Sequence, residues 1–252
     1  MQRAMDPTVA LGAPPSLGEL AAAGPVALFL DFDGTLVEIA PTPESIQVPD
    51  GLNVALEQLA ERLEGRLALV SGRSATDLSQ HIGPPGIARA GSHGIERIGA
   101  GGATIGSYPA PLPRVIEDEV RSFVRNHAGI TYEQKSHGAA IHFRAVPELE
   151  DVAIRFAEEL AVDHGMWAKL GKCIVEIVHQ GADKGGAVRA FMAEEPFIGA
   201  IPVFVGDDVT DEDGMRAATE LGGFGVIVGE RADSVAKFLL SNPQKVHEWL
   251  DL

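Results

Sequence analysis

The stretch PVALFLDFDGT, residues 25–35, decides the fold, because an apolar run of strand length ends there in two carboxylates and a glycine. Such a run predicts a strand buried on both faces. Side chains just beyond the carboxyl end of a strand in an open α/β sheet are placed to meet a ligand. Asp31 and Asp33 are two residues apart, so an extended chain directs both into one pocket. Two such charges about 4 Å apart repel by roughly 1–4 kcal/mol unless a cation lies between them. The pattern favours a functional acidic site over a helix cap or a turn.

The same alternation of strand and helix continues on both sides of a central interruption. It predicts an α/β fold with a Rossmann-like parallel sheet and helices on both faces. The further strands are expected at 67–70, 87–90, 201–205 and 224–228, with helices at 50–63, 75–82, 183–193, 210–219 and two more at the C-terminus.

The interruption begins with the proline-rich stretch SYPAPLPR, residues 107–114, which predicts a linker or hinge. The order helix, hairpin, helix, hairpin follows it and cannot belong to a parallel sheet. It predicts an inserted α+β cap (αββαββ), a small antiparallel sheet with two helices on one face. The expected domains are a flexible N-terminal segment (1–24), a core (25–108 and 183–252) and the cap (109–182), with Ser16 capping a short helix through Leu20.

Composition excludes several classes of function. The chain has 252 residues, with 20 Lys plus Arg against 36 Asp plus Glu, which gives a net charge of −16. A surface of that charge repels nucleic acid and anionic lipid, so we expect neither as a partner. No apolar run approaches the roughly 18–20 residues that span a bilayer, and the first residues do not form a secretory signal. With a single cysteine, Cys173, these features predict a cytoplasmic protein, which we expect to be monomeric.

A second acidic stretch, GDDVTDED at residues 206–213, follows the apolar run IPVFV. Several carboxylates at one strand end favour a hard cation such as Mg²⁺, which bridges protein carboxylates to substrate phosphate. The alternative is an acidic first turn of a helix, which suits the helix dipole. That alternative explains Asp211 to Asp213 in part, but it does not explain Asp207.

Two further sites carry groups that suit an anion. Ser71-Gly72-Arg73 follows the strand LALV and opens a helix, where a hydroxyl and backbone N–H groups can bind phosphate, although a serine there can also be only a helix cap. Lys184, in GADKGGA, begins another helix against the direction of the helix dipole. A carboxylate or phosphate partner would account for that position.

In chain order these sites offer a nucleophilic acid, a hydroxyl, a lysine and a metal-binding acid. This set resembles the haloacid dehalogenase superfamily of phosphohydrolases, and within it the chain resembles the trehalose-6-phosphate phosphatases. The resemblance is carried by DFDGT, GDDVTD, GSHGIE (91–96), EQKSHGAAIHFR (133–144), Val175-Glu176 and the αββαββ insertion. The chain departs from the family after Glu176, where Ile177-Val178-His179-Gln180 replaces the usual Arg-Pro pair.

The resemblance implies a role for each core residue. Asp31 would attack phosphorus and form an aspartyl-phosphate. Asp33 would serve as general acid and base, with its carbonyl on Mg²⁺. Asp31, Asp33 and Asp207 would bind the metal, with Asp211 acting through bound water. Ser71, Gly72 and Lys184 would hold the phosphate, with Asp208 orienting Lys184.

The resemblance also implies which side chains bind the sugar: Arg73, His93, Glu96, Glu133, Lys135, Arg144 and Glu176. Glu133 and Lys135 share one face of a predicted strand, as do His142 and Arg144, and the alternative is that this face is merely solvated. The expected substrate is a small sugar phosphate, trehalose 6-phosphate. The phosphates of sucrose, glucosylglycerol or mannosylglycerate stay open, as do a phosphomutase and a phosphoacceptor signalling module. Asp33 and the inserted cap count against the signalling module.

Overall fold

The computed structural model describes residues 11–40, 45–82, 86–106, 110–135, 137–171, 173–231 and 233–252. The chain divides into two compact units, with boundaries between Gly106 and Ser107 and between Ala182 and Asp183. We call the unit formed by the two outer segments the core unit, and the unit between the boundaries the inserted unit. No helix in the described ranges is long and apolar enough to cross a membrane.

The elements follow one another in chain order. The described strands are β1 (Val26–Leu30), β2 (Leu67–Val70), β3 (Ala88–Gly91), β4 (Glu96–Ile98), β5 (Thr131–Lys135), β6 (Gly138–His142), β7 (Met166–Gly171), β8 (Ile174–His179), β9 (Ile201–Gly206), β10 (Phe224–Val228) and β11 (Phe238–Leu240). The described α-helices are α1 (Leu17–Ala23), α2 (Leu52–Arg62), α3 (Ala75–Ile82), α4 (Arg114–Asn126), α5 (Glu150–Asp163), α6 (Lys184–Met192), α7 (Asp211–Glu220) and α8 (Pro243–Leu250).

Strands β1 to β4 and β9 to β11 form one sheet in the core unit, in the order β11-β10-β9-β1-β2-β3-β4. The pairings are parallel except at the β4 edge, where β4 runs antiparallel to β3. Strand β1 lies between β9 and β2. The strands that follow it in the chain are added first on one side, β2 to β4, and later on the other side, β9 to β11. Such a switch point opens a crevice at the carboxyl ends of the strands, where ligands bind in this class of fold.

Helices cover both faces of this sheet. On one face, Leu56 and Leu59 of α2, Leu78 of α3 and Val246 of α8 pack on alternate residues of β1 and β9. On the other face, α6 and α7 pack on the intervening residues, which include Phe29 and Phe204. Strand β1 is buried along its whole length, as the apolar run predicts. The predicted parallel α/β core is confirmed.

Within its described part, residues 11–24, the N-terminal segment carries the predicted helix capped by Ser16, and it packs on the core unit. Ser16 and Glu19 form a reciprocal capping box at the start of α1, and Leu20 is buried in the core. The Trp249 Nε1–H donates to the carbonyl of Pro15 at 2.8 Å, and the Leu239 N–H donates to the carbonyl of Gly12 at 2.9 Å. Residues 1–10 lie outside the described ranges.

The inserted unit contains an antiparallel sheet in the order β5-β6-β8-β7. Helices α4 and α5 contribute Ile116, Val120 and Leu160 to its hydrophobic core, together with Ile141 of β6 and Ile177 of β8. The described elements thus run helix, hairpin, helix, hairpin. The opposite face of the sheet carries the polar residues discussed below.

Several predicted boundaries differ. Strand β6 ends at His142, so Arg144 lies in an exposed turn and does not share a strand face with His142. Strands β4 and β11 were not predicted, and β11 occupies the place of one of the two expected terminal helices. Of the predicted linker and turns, residues 107–109, 136 and 172 lie outside the described part of the chain, and α4 begins directly after Pro113.

Candidate active site

A buried lysine links two carboxylates beyond the carboxyl end of β1. The Lys184 Nζ donates to Asp31 Oδ1 and to Asp211 Oδ1, both at 2.6 Å. All three side chains are buried, with Lys184 3% exposed, Asp31 4% and Asp211 fully covered. A charged group is almost never buried to that extent without a partner, so the pairing accounts for the position of the lysine.

Three elements bring these groups together. Asp31 follows β1, and Lys184 opens α6, where Asp183 caps the helix by accepting from the Gly186 N–H at 2.6 Å. Asp211 opens α7, and its Oδ2 accepts from the N–H groups of Asp207 and Asp208 at 3.0 and 2.9 Å. A carboxylate in a first helical turn suits the helix dipole, whereas a lysine there is disfavoured unless acids surround it.

The loop after β1 folds back tightly. The carbonyl of Phe32 accepts from the N–H groups of Thr35, Leu36 and Val37, and Gly34 has φ of +79°. A Cβ added to Gly34 would lie 2.1 Å from Asp207 Oδ2. The loop therefore needs glycine for two reasons, its left-handed backbone and its contact with the Asp207 carboxylate.

The electrostatics of the cluster are dominated by burial. Burial raises the pKa of Asp31, and contact with Lys184 opposes that shift. Burial acts to lower the pKa of Lys184, but Asp31 and Asp211 outweigh it and the pKa is raised. Burial, together with repulsion from Asp211 and Asp208, raises the pKa of Asp207 to about 6. One ammonium group therefore compensates only part of the carboxylate charge.

The carboxylates have the arrangement of a cation site. One oxygen each from Asp31, Asp207 and Asp211 lies within 4.8 Å of the others. Among the described residues, Asp207 Oδ1 is buried and has no hydrogen-bond partner. A buried acceptor without a donor is costly, and a hard cation that prefers carboxylate oxygens would satisfy it. The residues present thus fit a divalent ion.

The turn after β2 lies against the strained backbone after β3. Ser71 is buried, and its Oγ accepts from the Arg73 N–H at 3.2 Å. Ser92 and His93 both have left-handed backbones, with φ of 50° and 56°. A Cβ on Gly72 would lie 2.7 Å from the His93 Cε1, so the imidazole lies directly against this glycine. Consecutive left-handed non-glycine residues are typical of functional sites, where surrounding contacts hold the strain.

Two of the residues expected to bind sugar are engaged within the core unit. Arg73 Nε and Nη2 donate to Asp33 Oδ2 and Oδ1, both at 2.7 Å. Glu96 Oε2 accepts from the Ala75 N–H at 2.7 Å at the start of α3, and Oε1 accepts from Ser92 Oγ at 3.1 Å. Glu96 therefore links the start of α3 to the turn after β3. Its role in binding sugar stays a prediction.

In the inserted unit, one face of the sheet carries the expected sugar-binding side chains. Lys135 Nζ and Glu176 Oε1 form an ion pair at 2.7 Å, and Glu133 Oε2 lies 2.9 Å from His142 Nε2. Glu133, Ala140 and Glu176 are cross-strand neighbours, and Lys169 of β7 completes the row beside Glu176. The ion pair with Lys135 gives the partly buried carboxylate of Glu176 a partner on the polar face of the sheet.

Some contacts were not predicted. Asp211, rather than Asp208, contacts Lys184, because Asp208 Oδ1 accepts instead from the Val209 N–H at 2.6 Å. Both Asp211 oxygens bind protein donors. Two further residues were not predicted: Lys169, the cross-strand neighbour of Glu176, and Asp77, whose Oδ2 accepts from Arg73 Nη1 at 2.8 Å. Alternation along the second hairpin places Lys169 on the same face as Glu176, a signal that could have identified it.

Comparison with known proteins gives the relationship of the whole chain. A family model described as trehalose-phosphatase matches residues 29–238. The chain is 38% identical over 231 residues to a trehalose-6-phosphate phosphatase of Escherichia coli, covering 90% of this chain and 85% of that protein. It superposes on a trehalose-6-phosphate phosphatase related protein with a TM-score of 0.64 at 27% identity, covering 90% and 95% of the two chains.

A phosphatase of the haloalkanoate (HAD) superfamily from Bacteroides thetaiotaomicron shares the fold, with a TM-score of 0.66 over the whole of this chain and 98% of that one, at 16% identity. The match of the family model to most of the chain, together with 38% identity to a curated relative, agrees with the acidic cluster and with the parallel sheet that presents it. The chain belongs to the trehalose-phosphatase family, a family of phosphoric monoester hydrolases.

Proposed function

We propose that the protein hydrolyses trehalose 6-phosphate to trehalose and phosphate, with Mg²⁺, through an aspartyl-phosphate on Asp31. The observation that carries the proposal is the buried Lys184 joining Asp31 to Asp211 beside Asp207. A structural ion pair needs one acid per lysine, whereas this site gathers three at the end of one sheet. The relationship to trehalose-6-phosphate phosphatases supports the choice of substrate.

In the first step, an oxygen of Asp31 attacks phosphorus, and the bond from phosphorus to the sugar oxygen breaks. Asp33 gives its proton to that oxygen, so that neutral trehalose leaves. Lys184 and Ser71 hold phosphoryl oxygens and balance the charge that develops on them. The products of this step are the sugar alcohol and a phosphorylated Asp31.

In the second step, water attacks the phosphorus of the aspartyl-phosphate and gives a proton to Asp33. The bond between phosphorus and the Asp31 oxygen breaks, which releases phosphate and restores both carboxyl groups. Asp31, Asp207 and the Asp33 carbonyl would hold Mg²⁺, with Asp211 behind them, and the ion supplies positive charge for the phosphoryl oxygens.

We further propose that the polar face of the inserted unit selects the sugar. Lys135, Glu133 and Glu176 present charged donors and acceptors that suit the hydroxyl groups of a disaccharide. Arg144, exposed after β6, and His93, against Gly72, complete the proposed set. The cytoplasmic location and the monomeric state stay predictions.

The test is a comparison of kcat/KM for phosphate release from trehalose 6-phosphate, glucose 6-phosphate and sucrose 6-phosphate in Mg²⁺. We expect trehalose 6-phosphate to be preferred by at least about 100-fold, roughly 2.7 kcal/mol in the transition state. Equal rates on all three would overturn the choice of substrate and keep the phosphatase. Transfer of the phosphoryl group to sugar instead of water would indicate a mutase.

A further inference from the structure

Arg73 and Asp33 form a bidentate ion pair. Nε and Nη2 of the guanidinium donate to separate oxygens of the carboxylate at the same distance, 2.7 Å. The Arg73 side chain is only 8% exposed, whereas that of Asp33 is 35% exposed. Parallel bonds of this kind fix the plane of a carboxylate as well as its position, which a single bond does not.

Arg73 is itself held from several sides. Its Nη1 donates to Asp77 Oδ2 at 2.8 Å, and the backbone N–H of Asp77 is capped by Ser74 Oγ at 3.0 Å. The guanidinium carbon lies 6.0 Å from the centre of the Phe32 ring. The arginine is therefore anchored on α3 and reaches across to the loop after β1, so its fork is in place before any substrate arrives.

We propose that Arg73 is a positioning residue for Asp33, whose carboxylate it holds in one plane in the loop after β1. One of the two bonds must open when Asp33 carries the proton that it gives to the sugar oxygen. This inference rests on the proposed function, in which Asp33 protonates the leaving sugar. It changes the expected role of Arg73, whose donors are directed at Asp33 and Asp77 rather than at a sugar. A carboxylate that is misplaced by about 1 Å can cost on the order of 100-fold in rate.

Substrates with different leaving groups distinguish a positioning role for Arg73 from a role in binding sugar, in binding phosphate or in folding. A sugar oxygen must be protonated to leave, whereas p-nitrophenolate leaves without a proton. The parameter kcat/KM covers only the steps up to release of the leaving group, so it reports the acid role of Asp33 alone. Glucose 6-phosphate and trehalose 6-phosphate share the same reacting oxygen, and only the second carries a distal sugar.

The experiment measures kcat/KM of Arg73→Gln, Arg73→Lys and the wild type with trehalose 6-phosphate, glucose 6-phosphate and p-nitrophenyl phosphate. We expect Arg73→Gln to lose on the order of 10- to 100-fold on both sugar phosphates, by the same factor, and less than about threefold on p-nitrophenyl phosphate. Arg73→Lys, which keeps one charged bond, should recover part of the loss. Asp33→Asn should show the same dependence on leaving group.

Other results would overturn the inference. A loss confined to trehalose 6-phosphate would make Arg73 a sugar-binding residue, and an equal loss on all three substrates would place its effect on phosphate binding or on folding. Arg189→Gln is the matched control, because it removes an arginine whose ion pair with Glu220 is exposed, and it should leave all rates unchanged. A wild type that turns over none of the three substrates would refute the proposed function itself.

Discussion

At the scale of single residues, we expect substitutions of Asp31 and of Lys184 to change the stability of the protein in opposite directions. Asp31→Asn removes one of several crowded acids and leaves Lys184 paired with Asp211. We expect kcat/KM to fall by at least about 1,000-fold, with a melting temperature in metal-free buffer at or above that of the wild type. Lys184→Gln leaves two buried acids facing each other, which we expect to cost about 3–5 kcal/mol. Calorimetry would contradict this account if both variants shifted the melting temperature in the same direction.

A substitution of Gly34 tests the close contact between the loop after β1 and the carboxylate of Asp207. Gly34→Ala imposes a left-handed backbone on alanine and drives its Cβ into the Asp207 carboxylate. We expect it to lose at least about 100-fold in kcat and to respond less to Mg²⁺. Gly51→Ala is the matched control, since Gly51 has the same φ of +79° with nothing within 4 Å of an added Cβ. It should cost about 1–2 kcal/mol of stability and leave kcat unchanged, and equal losses in kcat would contradict the role of the contact.

At the scale of elements, α1 packs on the core through Leu20, and a capping box between Ser16 and Glu19 stabilises the start of the helix. Ser16→Ala breaks the capping box with Glu19, and we expect it to lower the free energy of unfolding by about 1 kcal/mol, or the melting temperature by roughly 2–4 °C. Ser79→Ala is the control, because Ser79 Oγ only donates to the Ala75 carbonyl within α3 and should shift the melting temperature less. Activity on the sugar phosphate should be unaffected by both, and a large loss of kcat in Ser16→Ala would contradict a purely structural role for α1.

The elements that could be predicted are those whose signal is local. Strands β1, β2, β9 and β10 are continuous apolar runs, and the carboxylates at the ends of β1 and β9 were identified from that context alone. Strands β4 and β11 have three residues each, too few to show a period, and their stability depends on neighbours distant in sequence. The Arg73 contact joins residues 40 positions apart, so no local pattern could reveal it.

At the scale of the whole molecule, the net charge of −16 gives no positive field to attract an anion, and the site where an anionic substrate is proposed to bind is itself an acidic cluster. Three carboxylates and one lysine in a buried cluster disfavour the metal-free protein when all of them are ionised. A proton can relieve this repulsion at low pH, and a divalent cation can relieve it at neutral pH. The stability of the molecule should therefore depend jointly on pH and on metal.

The sign of that dependence follows from Asp207, whose pKa is raised to about 6 mainly by burial and then by Asp211 and Asp208. A folded carboxyl that holds its proton more tightly than the unfolded one stabilises the protein below about pH 4, and that contribution is lost as pH rises through about 6. We therefore expect Mg²⁺ to raise the melting temperature more at pH 7.5 than at pH 5, where protons compete for the same oxygens. At about a hundred times its Kd, Mg²⁺ should contribute roughly 2.7 kcal/mol. Scanning calorimetry at matched ionic strength measures both increments, and Asp207→Asn should abolish the one at pH 7.5. Equal increments at the two pH values, or an unchanged increment in that variant, would show that the ion does not bind at Asp207.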